Sequence, residues 1–253
     1  MFHDIGYPWQ FSAGVQTNLA ASAPGNALFG LSPEKIVAEY GHRLLFHPLR
    51  GYKPAEASDP PAWRDSFQNL VADGLRTTHG VPGALAFLHL NDMLRVHPDP
   101  IDRPVRRFCV EWAAMAIMMH DMHKSYAEIN DGRVVVKNPQ LRLSLRRDPL
   151  SFLLTLCDVI QGFDRPDAQF ERQTGGPDII EIEYLERCKQ VRVEYDAGDR
   201  SLSICYKYTS SADYVLAQSK HQPEENLLYF DPALGYLDFE SLGLSAIRLR
   251  AEK

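Results

Sequence analysis

Apolar residues recur at helical spacing along most of this chain and alternate one by one in its last third, with the switch near Pro166. A helix presents one face every three to four residues, whereas a strand turns successive side chains to opposite faces. The two patterns call for different layers. The expected fold is therefore mainly α, with a helical core over 1–166 and a small α+β accessory lobe over 167–253.

Local signals mark the expected elements. Ser32-Pro33 puts a capping serine before a proline at the first helical position, which predicts a helix from there to about Leu45. Helical spacing of Phe67, Leu70, Val71 and Leu75 predicts helix over 63–75, and a further helix covers 85–94. The strongest pattern spans 105–119, with Phe108, Trp112, Met115, Ala116 and Met119 on one face. Asp148-Pro149 opens another helix that stops near Gly162. Beyond Pro166, alternation predicts strands over 179–184, 190–195 and 201–208. Asp196-Ala197-Gly198-Asp199 forms the hairpin turn between the last two. Helix is expected over 210–219 or 224–231, and a last strand over 246–249.

Composition narrows the function classes. With 253 residues, 45% hydrophobic and 24% charged, the chain is long enough to bury an ordinary globular core. A net charge of −6 counts against a general nucleic-acid binder. No apolar run reaches the roughly 20 residues of a membrane span, and residues 1–10 lack a signal peptide's pattern. Cys109, Cys157, Cys188 and Cys205 stand apart, without CxxC spacing, which fits a reducing cytoplasm.

His3-Asp4, His79, His120 and Asp158 each stand at an end or turn of an apolar helix, where packed helices project polar tips into one cavity. Imidazoles with carboxylates suit a first-row divalent ion better than calcium, and one or two such ions would support hydrolysis of a phosphate ester. Asp4, beside His3, is the expected bridging carboxylate. Lys124 is a candidate to steer a phosphate, and Arg165 a weaker one. No motif surrounds His42, His47, His89, His97 or His221, which read as structural or surface groups.

These residues carry a resemblance. HDIGYP at 3–8, GLRTTHGVPGAL at 74–85, AAMAIMMH at 113–120 and DPLSFLLTLCD at 148–158 resemble motifs of the HD superfamily of metal-dependent phosphohydrolases, closest to its HD-GYP-like and uncharacterised bacterial branches. The resemblance implies an HD-type helical core. It also implies divalent metal as cofactor (Mn, Fe, Co, Ni, Zn and Mg undistinguished) and a nucleotide or other small phosphorylated metabolite as substrate. Carried over by position, His3, His79 and His120 are ligands, Asp4 is the bridging and catalytic carboxylate, and Asp158 is the distal ligand. A second register reads His79, then His120-Asp121, then Asp158, with Asp121 as the bridge. The first is preferred because Ile5-Gly6 matches the family's turn after the doublet and Met122-His123-Lys124 does not. It lacks the upstream histidine, so the chain is expected to be an N-terminally truncated member. The alternative expectation is a non-catalytic nucleotide-binding or interaction module on a degenerate HD core.

Overall fold

The computed structural model describes residues 33–45, 69–71, 73–75, 77–93, 103–161, 190–220 and 223–253. His3, Asp4, Arg165 and the expected strand over 179–184 lie outside them.

Three helices form the centre. Helix α1 (Pro33–Leu45) starts at the proline the sequence marks. Helix α2 (Gly80–Met93) buries Gly80 through Ala86 and Leu88, and such a helix, apolar all round, belongs inside a core. Helix α3 (Arg103–Met119) packs along α2. It is buried on all sides from Ala114 to Met119, so its C-terminal end is enclosed where a single apolar face was expected. A short helix α4 (His123–Tyr126) follows a tight turn. Helix α5 (Pro149–Gln161) packs against α3. The Ser151 N–H donates to Asp148 Oδ1 at 3.2 Å, the cap that Asp148-Pro149 predicts.

The three central helices are pinned by a partly buried ion network. Arg43 of α1 donates through Nε to Glu111 of α3 at 2.8 Å and through a terminal nitrogen to Asp92 of α2 at 2.7 Å. Arg107 donates to the same Glu111 oxygen at 2.8 Å. Burial works against the Glu111 charge, yet the two guanidinium groups hold its carboxyl below the usual range. Glu111→Ala leaves Arg43 with Asp92 alone. The expected cost is about 2 kcal/mol, below the 3–5 kcal/mol of a buried charge left wholly unpartnered. The shift of a urea unfolding midpoint measures it.

Strands occur in both halves. Strands β1 (Ala127–Asn130) and β2 (Arg133–Val136) form an antiparallel hairpin. Strand β3 (Leu143–Ser144) pairs in parallel with β6 (Leu237–Asp238). Strands β4 (Gln190–Asp196), β5 (Ser201–Lys207) and β7 (Ala246–Glu252) form a sheet in that order, β4–β5 antiparallel as the alternation predicts. Helices α6 (Ser211–Lys220) and α7 (Pro223–Phe230) complete the described part.

Over the described residues helix accounts for 55% and strand for 23%, in three small sheets. The molecule is thus mixed α and β, which corrects the mainly-α expectation of an HD-type helical core with a small lobe. The physical reason lies in the hairpin and β3, which sit within the segment assigned to helices. The main core also draws together Tyr126, Leu141 and Phe152 from that segment with Phe230, Tyr236 and Phe239 from the last third. A smaller cluster of Ile204, Tyr206, Tyr208 and Ala217 lies on the three-stranded sheet, tied to α5 where Tyr206 Oη donates to the Ile160 carbonyl at 2.9 Å. No helix among the described residues is long and apolar enough to cross a membrane.

Candidate functional site

The polar residues of the core gather where the start of α2 meets the end of α3. His79 precedes the first residue of α2, and His120-Asp121 forms the turn after α3. Glycine at 80 permits the approach. A Cβ there would stand 2.7 Å from the Ile117 carbonyl oxygen and 2.9 Å from that of Met118. Thr78 Oγ1 donates to the Gly74 carbonyl at 2.8 Å and accepts the Val81 N–H at 3.4 Å, so its side chain supports the helix start as expected of a capping residue.

Asp121 organises this corner. Its Oδ2 accepts the His79 backbone N–H at 2.8 Å and the Gly80 N–H at 3.4 Å, and so caps α2 from a neighbouring element. The same oxygen lies 2.9 Å from His79 Nδ1. Burial opposes ionisation of Asp121, but the bond from His79 and the nearby imidazoles hold its pKa down at about 2. It is therefore a carboxylate at neutral pH and can only accept.

That fixes both histidine tautomers. Facing an ionised carboxylate, His79 Nδ1 must carry a proton. His120 Nδ1 lies 2.5 Å from the Ile117 carbonyl oxygen, which also only accepts, so it too carries one. The remaining nitrogens face each other, with His79 Nε2 and His120 Nε2 3.0 Å apart. In two neutral rings both would present lone pairs, which repel at this distance unless a cation lies between them. A shared proton or a metal ion would serve. Burial and the neighbouring His79 both lower the pKa of His120, which disfavours a proton on that ring.

Two imidazole nitrogens are donors of the type that first-row divalent ions take. Two nitrogen donors about 2.1 Å from one cation stand ~3.0 Å apart at the right angle of octahedral ligation and about 3.4 Å apart at the tetrahedral angle of zinc sites. Metal-binding histidines commonly donate their second ring N–H to a carboxylate or backbone carbonyl, as both rings do here. Among the described residues, however, no group of three or more His, Cys, Asp or Glu side chains is arranged to hold a metal.

Two further groups act on this corner. The Asp158 carboxylate on α5 acts electrostatically on both His120 and His123. His123, on α4, was not a sequence candidate. Its Nδ1 is buried without a hydrogen-bond partner, 3.9 Å from Asp121 Oδ1. Its ring lies 4.8 Å from that of Tyr229 and 6.5 Å from that of Tyr236. Burial pushes its pKa down to about 4, so it is neutral at physiological pH. Lys124 is exposed next to it. The structure thus brings together His79, His120 and Asp121, with His123 beside them and Asp158 acting on His120 and His123 through its charge, while His3 and Asp4 lie outside the described residues. Comparison with protein families, with characterised proteins and with solved structures finds no match. The remaining histidines include one core contact, Tyr40 Oη to His89 Nδ1 at 3.0 Å.

The depressed histidine has a consequence for acid stability. Between pH 6.5 and about 4 the unfolded chain binds a proton at His123 that the folded chain refuses, so stability falls as pH falls through that window. Asp121 acts lower down, contributing stability that is full above its ordinary value of 3.8 and is lost as pH falls through about 2. His123→Phe is expected to flatten the loss between pH 6.5 and 4 in denaturant titrations at stepped pH. An unchanged slope would refute the assignment.

Proposed function

We propose that the chain is a metal-dependent phosphohydrolase acting on a nucleotide or another small phosphorylated metabolite, as the HD resemblance implies. One observation carries the reading: the two Nε2 atoms of His79 and His120 face each other at 3.0 Å, with both Nδ1 atoms engaged elsewhere. The proposal uses the register His79, His120-Asp121, Asp158. His79 and His120 are the metal-holding imidazoles, and Asp158 is the further acidic group. Bound divalent metal supplies Lewis acidity toward a phosphoryl oxygen and eases deprotonation of water.

The chain's own residues prepare and support the reaction. Asp121 orients His79 through Nδ1 instead of bridging, and the Ile117 carbonyl orients His120. His123, neutral down to about pH 4, offers a proton acceptor on the side of Asp121 Oδ1. Lys124 is free to meet a phosphate at the surface. A reducing, cytoplasmic setting belongs to the same reading, on the lack of CxxC spacing in the sequence.

Assaying the full chain with generic phosphomonoesters and phosphodiesters, with added Mn²⁺ or Zn²⁺, tests the activity. Hydrolysis that EDTA abolishes, and that falls about a hundredfold or more in His120→Ala, is the expected result. Nucleotide binding without turnover under any metal would instead establish the non-catalytic module. His3→Ala and Asp4→Ala separate the registers: the one used here expects metal content to survive both changes, and the one built on the doublet expects it to be lost.

A further inference from the structure

Tyr236 reaches the site from the last third of the chain. It stands between α7 and β6, fully buried, and its Oη donates to the Met119 carbonyl at 2.5 Å. Met119 closes α3, and its carbonyl belongs to the peptide unit that continues into His120. The last carbonyls of a helix lack partners within it. The Met119 oxygen also accepts the Met122 N–H at 3.2 Å, but that bond lies within the turn and moves with it. Tyr236 ties the turn to another part of the chain. Its own backbone is held on both sides: the N–H donates to the Leu228 carbonyl of α7 at 2.8 Å, and the carbonyl accepts the Leu143 N–H of β3 at 2.8 Å. The loop before it, residues 231–235, is tied as firmly. Asp231 Oδ1 accepts the N–H groups of Ala233 at 2.9 Å and Leu234 at 2.8 Å. Arg142 donates to the Gly235 carbonyl at 3.0 Å and the Pro232 carbonyl at 2.8 Å, and Tyr126 Oη to the Leu234 carbonyl at 2.8 Å. Only glycine fits at 235, where a Cβ would lie 2.5 Å from the Asp231 carbonyl oxygen and 2.7 Å from that of Tyr229.

We infer that Tyr236 is a positioning residue of the His79–His120 pair: it holds the Met119–His120 peptide so that the His120 ring meets the Ile117 carbonyl and turns Nε2 towards His79. That peptide is gripped at both edges. Its N–H, from His120, donates to the Ala116 carbonyl within α3 at 3.0 Å, and its oxygen takes the Tyr236 hydroxyl. The ring is then fixed at its far end through Nδ1. A ring held through Nδ1 alone would pivot about that bond as the turn shifted, and Nε2 would swing away from His79. Groups at a site keep within about 0.5 Å and 10–20° of a working geometry only where their neighbours lock them. That the pair holds metal rests on the function proposed above, whereas the hold of Tyr236 on His120 does not.

Tyr236→Phe removes the hydroxyl and keeps the ring among Tyr126, Tyr229 and His123. Tyr206→Phe is the control, since Tyr206 Oη also donates to a carbonyl near a helix end, that of Ile160, but from the smaller core cluster. Both variants are expected to lower the urea midpoint by similar amounts. The His120 ring separates them. In the metal-free full chain with isotope-labelled histidine, the buried Nδ1–H of His120 should give a slowly exchanging NMR signal, assigned by its loss in His120→Ala. Tyr236→Phe should shift and broaden that signal, and Tyr206→Phe should leave it in place. With Zn²⁺ alone as the probe, affinity should fall more than about tenfold in Tyr236→Phe and by less than about twofold in Tyr206→Phe. Arg142→Met loosens the loop from its half-buried outer side and should move the His120 signal the same way. If Tyr236→Phe does not fold, Arg142→Met decides. A signal that stays in place overturns the inference, and so does one that moves equally in Tyr206→Phe. A wild-type chain that binds no Zn²⁺ refutes the metal reading instead, and the His120 signal still decides the role of Tyr236.

Discussion

Asp121→Ala is expected to lower stability by about 3 kcal/mol and to abolish metal binding together. Three bonds depend on one side chain: the two backbone N–H groups at the start of α2 and the His79 ring. Loss of a capping acceptor costs about 1 kcal/mol. A buried imidazole N–H left without an acceptor costs about 1–3 kcal/mol more. The functional effect follows from the same loss. Without the carboxylate, the His79 proton is free to move to Nε2, and the nitrogen that would hold a metal becomes a donor. Asp121→Asn separates the two effects. Its amide oxygen can still cap α2, so most of the stability should return. The group is neutral, so its hold on the His79 proton weakens and metal affinity should remain reduced. Denaturant titration and metal content, measured on both variants, read the two effects apart. Full metal binding in Asp121→Ala would show that His79 needs no orienting carboxylate.

Gly80→Ala is expected to cost about 3 kcal/mol, although it adds one methyl group, because the neighbours are backbone. The new Cβ would meet the Ile117 oxygen at 2.7 Å, the Met118 oxygen at 2.9 Å and Asp121 Cβ at 3.1 Å. Carbonyls at the buried end of α3 cannot swing aside as a surface side chain can, so α2 and α3 must separate. The Ile117 oxygen is also the acceptor that holds His120. The same displacement that destabilises the core therefore loosens the pair of imidazoles, and metal affinity should fall with stability. A variant as stable as the parent, within about 0.5 kcal/mol, would mean that the helices have room the structure does not show.

Legibility in the sequence followed how local each cause is. The start of α5 could be read because its cap, Asp148 to the Ser151 N–H, lies within four residues. The β4–β5 hairpin could be read because alternation repeats across a short turn. The β1–β2 hairpin lies between the helices predicted over 105–119 and from Asp148, where no element is predicted, yet its signal is present. Asp131-Gly132 turns the chain with φ of 49° and 71°, and an Asp-Gly pair between short apolar runs favours this turn. The β3–β6 pairing could not be read, since Leu143 meets Leu237 through two residues of strand on each side. At the site, His79 and His120 stood out because histidines at the ends of apolar helices are unusual. The role of Asp121 did not, because it caps a helix some forty residues earlier in the chain. His123 was passed over because its partners Tyr229 and Tyr236 come from the last third of the sequence.

The central claim is that the facing Nε2 atoms of His79 and His120 share a metal ion. Isothermal titration of the metal-stripped full chain with Zn²⁺ or Mn²⁺ tests it most directly. The account predicts saturable binding, lost in His79→Ala and in His120→Ala while both variants stay folded. Absence of binding in the full chain, or binding that both variants retain, would contradict it and leave a shared proton as the cation between the two rings.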